Sequence, residues 1–321
     1  MVFGLLFFVF FGVFFGALSF FITWIASIFL IKVARKNFVA RVRLYAPHKK
    51  NPTIAIGGIP IIVGILFGVL TLLPMIRDTF VITVSLLLFG GIGFFDDYVK
   101  INNGVGILAK SKALLQIAAS SIAIILLYSW NEFFFTDAFF YSDSFYFYIF
   151  FIVWNFFILI GTVNAINLTD GLDMLAVVVV IPISLFFLLV ALTKGNFSIA
   201  LINMGLIGSL CGFALFNRHP ALLWMGDVGS LSIGAVIALS ALILRVELFL
   251  PLVAAVPVFE TLSVIIQVAS FKLFGRKIFK MAPLHHHFEL CGYSETVIVK
   301  SAFVCSMLVA FLGFILFLII K

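Results

Sequence analysis

Residues 175–192 read LAVVVVIPISLFFLLVAL, a run without a single charge and long enough to cross a bilayer as a helix. Comparable apolar runs stand on both sides of it, at 3–31, 54–73, 80–95, 113–130 and 145–162 before it, and at 199–216, 229–244, 248–271 and 301–320 after it. The chain of 321 residues is 64% hydrophobic and 10% charged, with a mean hydropathy of +1.30. No soluble domain has that composition. In hydrocarbon a helix satisfies its own backbone hydrogen bonds, so the sequence predicts an all-α, polytopic membrane bundle of about ten transmembrane helices. No linker or repeat divides it, and residues 1–321 read as one integral-membrane domain.

The first run has neither a basic leader nor a small-residue cleavage site and exceeds a signal-peptide core in length, so it reads as a permanent anchor. Ten spans put both termini on one side. Placing them outside leaves only Arg77, Lys194, Arg245 and Lys321 on the outer face, and the other sixteen of the twenty lysines and arginines on the inner one. Basic residues mark the cytoplasmic side. The formal charge of +7 then needs anionic lipid headgroups and an anionic cytosolic substrate, and no nucleic acid. The three cysteines, Cys211, Cys291 and Cys305, show no paired spacing.

The polar residues that carry chemistry collect in the inner segments. GFFDDYVK ends the third run with Asp96 and Asp97 side by side, and a continued helix puts Lys100 on their face. A salt-bridged helix end accounts for that pattern. So does a divalent cation between two carboxylates, and an all-oxygen site of this kind suits Mg²⁺. GTVNAINLTDGLDMLA spaces Asn164, Asn167, Asp170 and Asp173 by three around Gly171, which reads either as a capping turn or as a ligand cradle. FNRHPALLWMGDVGSLSIG sets Asp227 between Gly226 and Gly229, where N–H groups could face an anion, and Trp224 offers a flat face to a base; an ordinary glycine-rich helix start is the plainer reading. RVRLYAPHKKNPTIAIGGIP combines basic residues with Gly57 and Gly58. KMAPLHHHFELCGYSE holds His285, His286 and His287, and three consecutive imidazoles cannot converge on one ion without distorting the backbone. Phosphate contacts or proton exchange suit them better. Together these stretches fit metal-assisted phosphoryl transfer at one membrane face.

At FFDDYVK, NAINLTDGLD, MGDVGS and MAPLHHHFE the chain resembles the phospho-N-acetylmuramoyl-pentapeptide transferases, within the polyprenyl-phosphate N-acetylhexosamine-1-phosphate transferases. The resemblance runs over nearly the whole length, and PLHHHFE marks the muramoyl-pentapeptide subgroup. It implies a multi-pass enzyme of the bacterial cytoplasmic (inner) membrane that joins undecaprenyl phosphate to the phosphosugar of UDP-N-acetylmuramoyl-pentapeptide, giving lipid I and UMP with Mg²⁺ as cofactor. By motif, the catalytic residues are Asp96, Asp97, Asp227 and His286, with Asp97 and Asp227 on the metal. Lys50, Leu168, Asp170, Gly171, Asp173 and Trp224 form the nucleotide site, Asn167, Lys100 and Lys112 belong to the substrate-binding set, and His285 and His287 reach the substrate's phosphates or sugar. A homodimer is implied by the resemblance only.

Three departures stand out. KNPTIAIGG replaces the usual K-x-G-T-P-T-M-G-G, keeping Lys50, Thr53, Gly57 and Gly58; the segment between Lys100 and Lys112 is about two residues short; and Met174 stands where glycine is common. Two rival readings remain at this stage: a transferase of the same fold using UDP-N-acetylglucosamine, and a transporter. A transporter would hold its ionisable groups at mid-membrane, where only Glu260 qualifies.

Overall fold

The computed structural model describes residues 2–34, 53–72, 77–129 and 145–321, and their side chains apart from 2–11, 69–72 and 145–148. Lys50 lies outside the described residues. The helices are α1 Val2–Ala34, α2 Gly58–Leu72, α3 Arg77–Asn103, α4 Ala109–Ser129, α5 Phe145–Thr169, α6 Leu175–Lys194, α7 Phe197–Asn217, α8 Gly226–Leu244, α9 Leu250–Val253, α10 Ala255–Phe274, α11 Leu284–Leu290 and α12 Glu295–Ile320. Among the described residues nine of these are long and apolar enough to cross a membrane, and α2 is a shorter apolar helix.

Two of the expected spans differ from the sequence reading. The run at 54–73 yields only the 15 residues of α2, because its first residues are held extended against the segment before α8. Ile54 donates to Leu222 O and its own carbonyl accepts Trp224 N at 2.9 Å, while Gly57 and Gly58 donate to Trp224 O and Met225 O, both at 2.8 Å. The run at 248–271 is broken at Ala254 into α9 and α10. The break leaves Pro257 in the first turn of α10, where its missing N–H costs no intrahelical bond. The third run, by contrast, extends well past its apolar core, and α3 carries Asp96, Asp97 and Lys100 as helical residues.

α8 is the axis of the bundle. Nearly every residue of α8 is buried, including Ser230, Ser232 and Ser240, and α3 and α5 pack along it. α1 runs parallel to α7, with Gly16 against Met204 and Gly208, so the two backbones approach closely as small residues allow in membranes. At one end of the bundle Lys194 donates to Leu244 O (2.7 Å), Lys321 to Thr193 O (2.8 Å) and Asn196 to Asp78 (2.8 Å). The C-terminal end of α12 lies there. The other end holds Asp96, Asp97, Asp173 and Asp227.

Candidate active site

Asp96 and Asp97 are adjacent in α3 but face different partners. Asp96 Oδ1 accepts the N–H of Ile107 at 2.7 Å, and its Oδ2 meets Lys100 at 2.7 Å and Lys112 of α4 at 3.2 Å. Asp97 Oδ2 accepts the N–H of Val228 at 3.0 Å, in the first turn of α8, where the helix dipole favours an anion. Gly226 makes this approach feasible: its φ is +69°, and a Cβ there would overlap Ala55 O and crowd the Asp97 carboxylate. Of the N–H groups around Gly226 that could face an anion, Val228 N faces the protein's own Asp97.

Asp227, also in the first turn of α8, closes the cluster. Its Oδ2 meets Lys100 at 2.9 Å and makes a close pair with Lys112, and its Oδ1 accepts Asn167 Nδ2 at 3.0 Å. Asn167 also donates to Ser230 at 2.8 Å, which fixes the amide. Asp96, Asp97 and Asp227 are all buried, and buried carboxylates of this density need cations beside them. Lys100 Nζ lies 2.7 Å from Asp96, 3.8 Å from Asp97 and 2.9 Å from Asp227, so one cation position is shared by three carboxylates from two helices. An oxygen-only donor set converging on one point fits a hard divalent cation such as Mg²⁺.

The residues spaced by three after α5 do not stay together, because the helix ends at Thr169. Asn164 exchanges hydrogen bonds with Gln116 of α4, at 2.8 and 3.3 Å. Asn167 turns to Asp227. Leu168 is half-buried in the last turn of α5, and Asp170 follows it in the turn. Burial, together with Asp227 and Asp97, pushes the Asp170 carboxyl well above the ordinary carboxylate range, although part of the residue's surface remains accessible. Asp173 joins a separate group: its carboxylate accepts Trp224 Nε1 (3.1 Å), Ala221 N (3.1 Å) and His219 Nδ1 (2.9 Å).

The three histidines diverge, as expected of consecutive residues on the short helix α11. His285 is buried, its Nδ1 is 3.3 Å from Glu260 of α10, and its Nε2 stands where a Cβ on Gly171 would fall. His285 is therefore packed behind the turn, and its backbone N–H donates to Glu260 Oε2 at 3.3 Å. His286 is partly exposed and pairs with Glu289 at 2.7 Å. His287 accepts the N–H of Lys280 at 3.1 Å. Met174, the residue in place of the common glycine, has φ +71°, the left-handed region. Its N–H donates to Asn217 at 2.8 Å, which pins it there.

Several residues at the site were given no role by the sequence. Ser230 closes the quoted MGDVGS without standing out, Gln116 looks like helix filler, and Ile107 contributes only its backbone. His219 and Glu295 stand at the unremarked ends of two quoted stretches, and only the tertiary fold joins them.

Residues 79–245, just over half of the chain, match the family model described as glycosyl transferase family 4. The chain is 39% identical to the phospho-N-acetylmuramoyl-pentapeptide-transferase of Thermoanaerobacter sp., across 89% of this chain and 92% of that one. It is 38% identical to the protein of the same name from Caldanaerobacter subterraneus subsp. tengcongensis, across 92% and 96%. It is also 38% identical to that of Aquifex aeolicus, across 92% and 89%. The chain belongs to glycosyl transferase family 4 and, within it, to the phospho-N-acetylmuramoyl-pentapeptide transferases.

Proposed function

We propose that this protein transfers phospho-N-acetylmuramoyl-pentapeptide from UDP-N-acetylmuramoyl-pentapeptide to undecaprenyl phosphate, giving lipid I and UMP in peptidoglycan biosynthesis. The observation that carries this reading is the convergence of Asp96, Asp97 and Asp227 on one cation position, taken here by the Lys100 ammonium with Lys112 beside it, in a chain so similar to transferases of that name. A phosphate oxygen of the lipid forms the new P–O bond to the sugar-bound phosphorus, and the P–O bond to UMP breaks. An ionised phosphate is already nucleophilic near neutral pH, so a strong base is not required.

Asp97 and Asp227 would hold the divalent cation, and Mg²⁺ bound there would neutralise charge on the reacting phosphates. Asn167 orients Asp227 from one side. Asp96 ties Lys100, Lys112 and the backbone at Ile107 into one unit, placing two ammonium groups where phosphates of either substrate arrive. Trp224 would take the uridine base, Asp170 and Gly171 line the turn beside it, and His286, with its ring held by Glu289, would meet the pyrophosphate or sugar. His285 serves from behind the turn, by packing on Gly171.

The same reading places the carboxylate end on the cytosolic face of the bacterial inner membrane and both termini outside, supported by the basic residues that outnumber their outer counterparts on that side. A homodimer and the lipid bilayer complete its partners. The buried carboxylates Asp96, Asp97, Asp173 and Asp227 gather at one end of the bundle, which disfavours a transporter.

The test is UMP release by the detergent-purified protein given undecaprenyl phosphate and either UDP-N-acetylmuramoyl-pentapeptide or UDP-N-acetylglucosamine, with and without Mg²⁺. Metal-dependent release from the first donor alone is expected. Release from the second alone would move the chain to the other transferase subgroup.

A further inference from the structure

We infer that His219 and Glu295 are positioning residues of the nucleotide subsite: they clamp Asp173 and, through it, the Trp224 indole. The inference rests on the donor reading above and deepens it.

The Asp173 carboxylate is buried and meets three nitrogens of the chain. One oxygen takes the Trp224 indole N–H, and the other takes Ala221 N and His219 Nδ1. The indole plane therefore turns with the carboxylate. His219 Nδ1 is also 3.1 Å from Glu295 Oε2, and Glu295 Oε1 accepts the backbone N–H of Asp173 at 2.6 Å. The result is a closed loop: Asp173 carboxylate, His219, Glu295, Asp173 backbone. It joins the turn after α5, the connection between α7 and α8, and the first turn of α12.

The three ligand-type atoms of Asp173, His219 and Glu295 lie within 4.8 Å of one another, a spacing that a metal site also shows. Nδ1 faces two carboxylate oxygens at 2.9 and 3.1 Å, and in the tautomer with the proton on Nδ1 it donates to that pair and closes the loop. A second tie supports the clamp: Asn217 takes Met174 N at 2.8 Å and donates to Leu223 O at 2.8 Å, so the turn and the segment leading to Trp224 are joined twice. A hydrogen bond to a buried carboxylate is among the stronger kinds, and losing it leaves the remaining partners free to rotate.

The experiment uses the full chain in detergent with Mg²⁺ present, comparing wild type with His219→Ala, His219→Asn and Glu295→Gln. UMP binding is measured by calorimetry, and KM is measured separately for the UDP-linked donor and for undecaprenyl phosphate. His219→Ala is expected to weaken UMP binding and raise the donor KM about tenfold, with the lipid KM within about twofold of wild type. Asparagine keeps an N–H near the Nδ1 position, so His219→Asn should recover most of the loss, and Glu295→Gln should show a smaller loss of the same kind. Equal losses for both substrates, unchanged UMP affinity in His219→Ala, or no recovery in a folded His219→Asn protein would overturn the clamp. UMP binding does not need turnover, so a wild-type protein that binds UMP without releasing it from the donor would sink the transferase reading and still leave the clamp tested.

Discussion

His285 Nε2 occupies the space that any side chain at position 171 would need, so Gly171 and His285 cannot both keep their places if residue 171 gains a Cβ. Glu260 accepts the His285 backbone N–H at 3.3 Å, and the ring is buried. Gly171→Ala must therefore push the imidazole or the turn. Overpacking of this kind costs about 1–3 kcal/mol. The expected outcome is a lower thermal midpoint and at least about tenfold slower UMP release. A variant with wild-type rate and midpoint would show that the turn and α11 are not coupled.

Asp227 is the carboxylate that both lysines and Asn167 share. Asp227→Asn keeps the shape and an acceptor for Asn167, but removes the charge. Turnover should fall by about 10²-fold or more, while the helical circular dichroism signal and detergent-solution monodispersity stay as in wild type. Retained turnover would remove Asp227 from the chemistry.

Chelation is expected to stop UMP release, and added Mg²⁺ to restore it. In Asp97→Asn the Mg²⁺ concentration giving half-maximal rate should rise, because one of the carboxylates proposed to hold the ion is lost. The titration is read as rate against free Mg²⁺. A half-maximal concentration unchanged by Asp97→Asn would place the ion elsewhere.

Met174 holds a left-handed backbone, φ +71°, that costs an ordinary residue about 1–2 kcal/mol relative to the right-handed region. Met174→Gly relieves that strain and keeps the N–H to Asn217. The variant should gain roughly 1 kcal/mol, less whatever side-chain contact the methionine makes. Thermal unfolding in detergent reads it directly, and a destabilised variant would mean that the side-chain packing outweighs the backbone strain.

Trp224→Ala should weaken UMP binding while leaving the lipid KM nearly unchanged, with Trp224→Phe between the two, since a ring can still stack without the indole N–H that Asp173 holds. Equal loss for nucleotide and lipid would argue against stacking at this residue.

Much of the bundle was legible because a membrane helix announces itself by composition: α6 and α12 can be read directly from their uncharged cores. The aspartates at 96, 97 and 227 stood out for a related reason, since a carboxylate at the edge of an apolar run is too costly to be idle. What sequence could not reveal were relationships between segments. The period of three from Asn164 to Asp173 suggested one face, but α5 stops at Thr169 and sends Asp173 to a different cluster. Three neighbouring histidines looked alike, yet one is buried against Glu260, one pairs with Glu289 and one serves a loop. The residues at 54–57 read as the start of a helix because nothing nearby in sequence betrays their extended partners at 222–225.

That pairing has a consequence for how the protein is made. Thr53 bonds to the carbonyl of Ala221, a residue 168 positions further along the chain. At ordinary synthesis rates the earlier segment waits about 10–30 s after leaving the ribosome before its partner exists. The junction in front of α8 is thus assembled by a residue stretch born early and one born late. A nascent chain halted before residue 221 carries α1–α7 and still lacks Trp224, the residue proposed to take the uridine base.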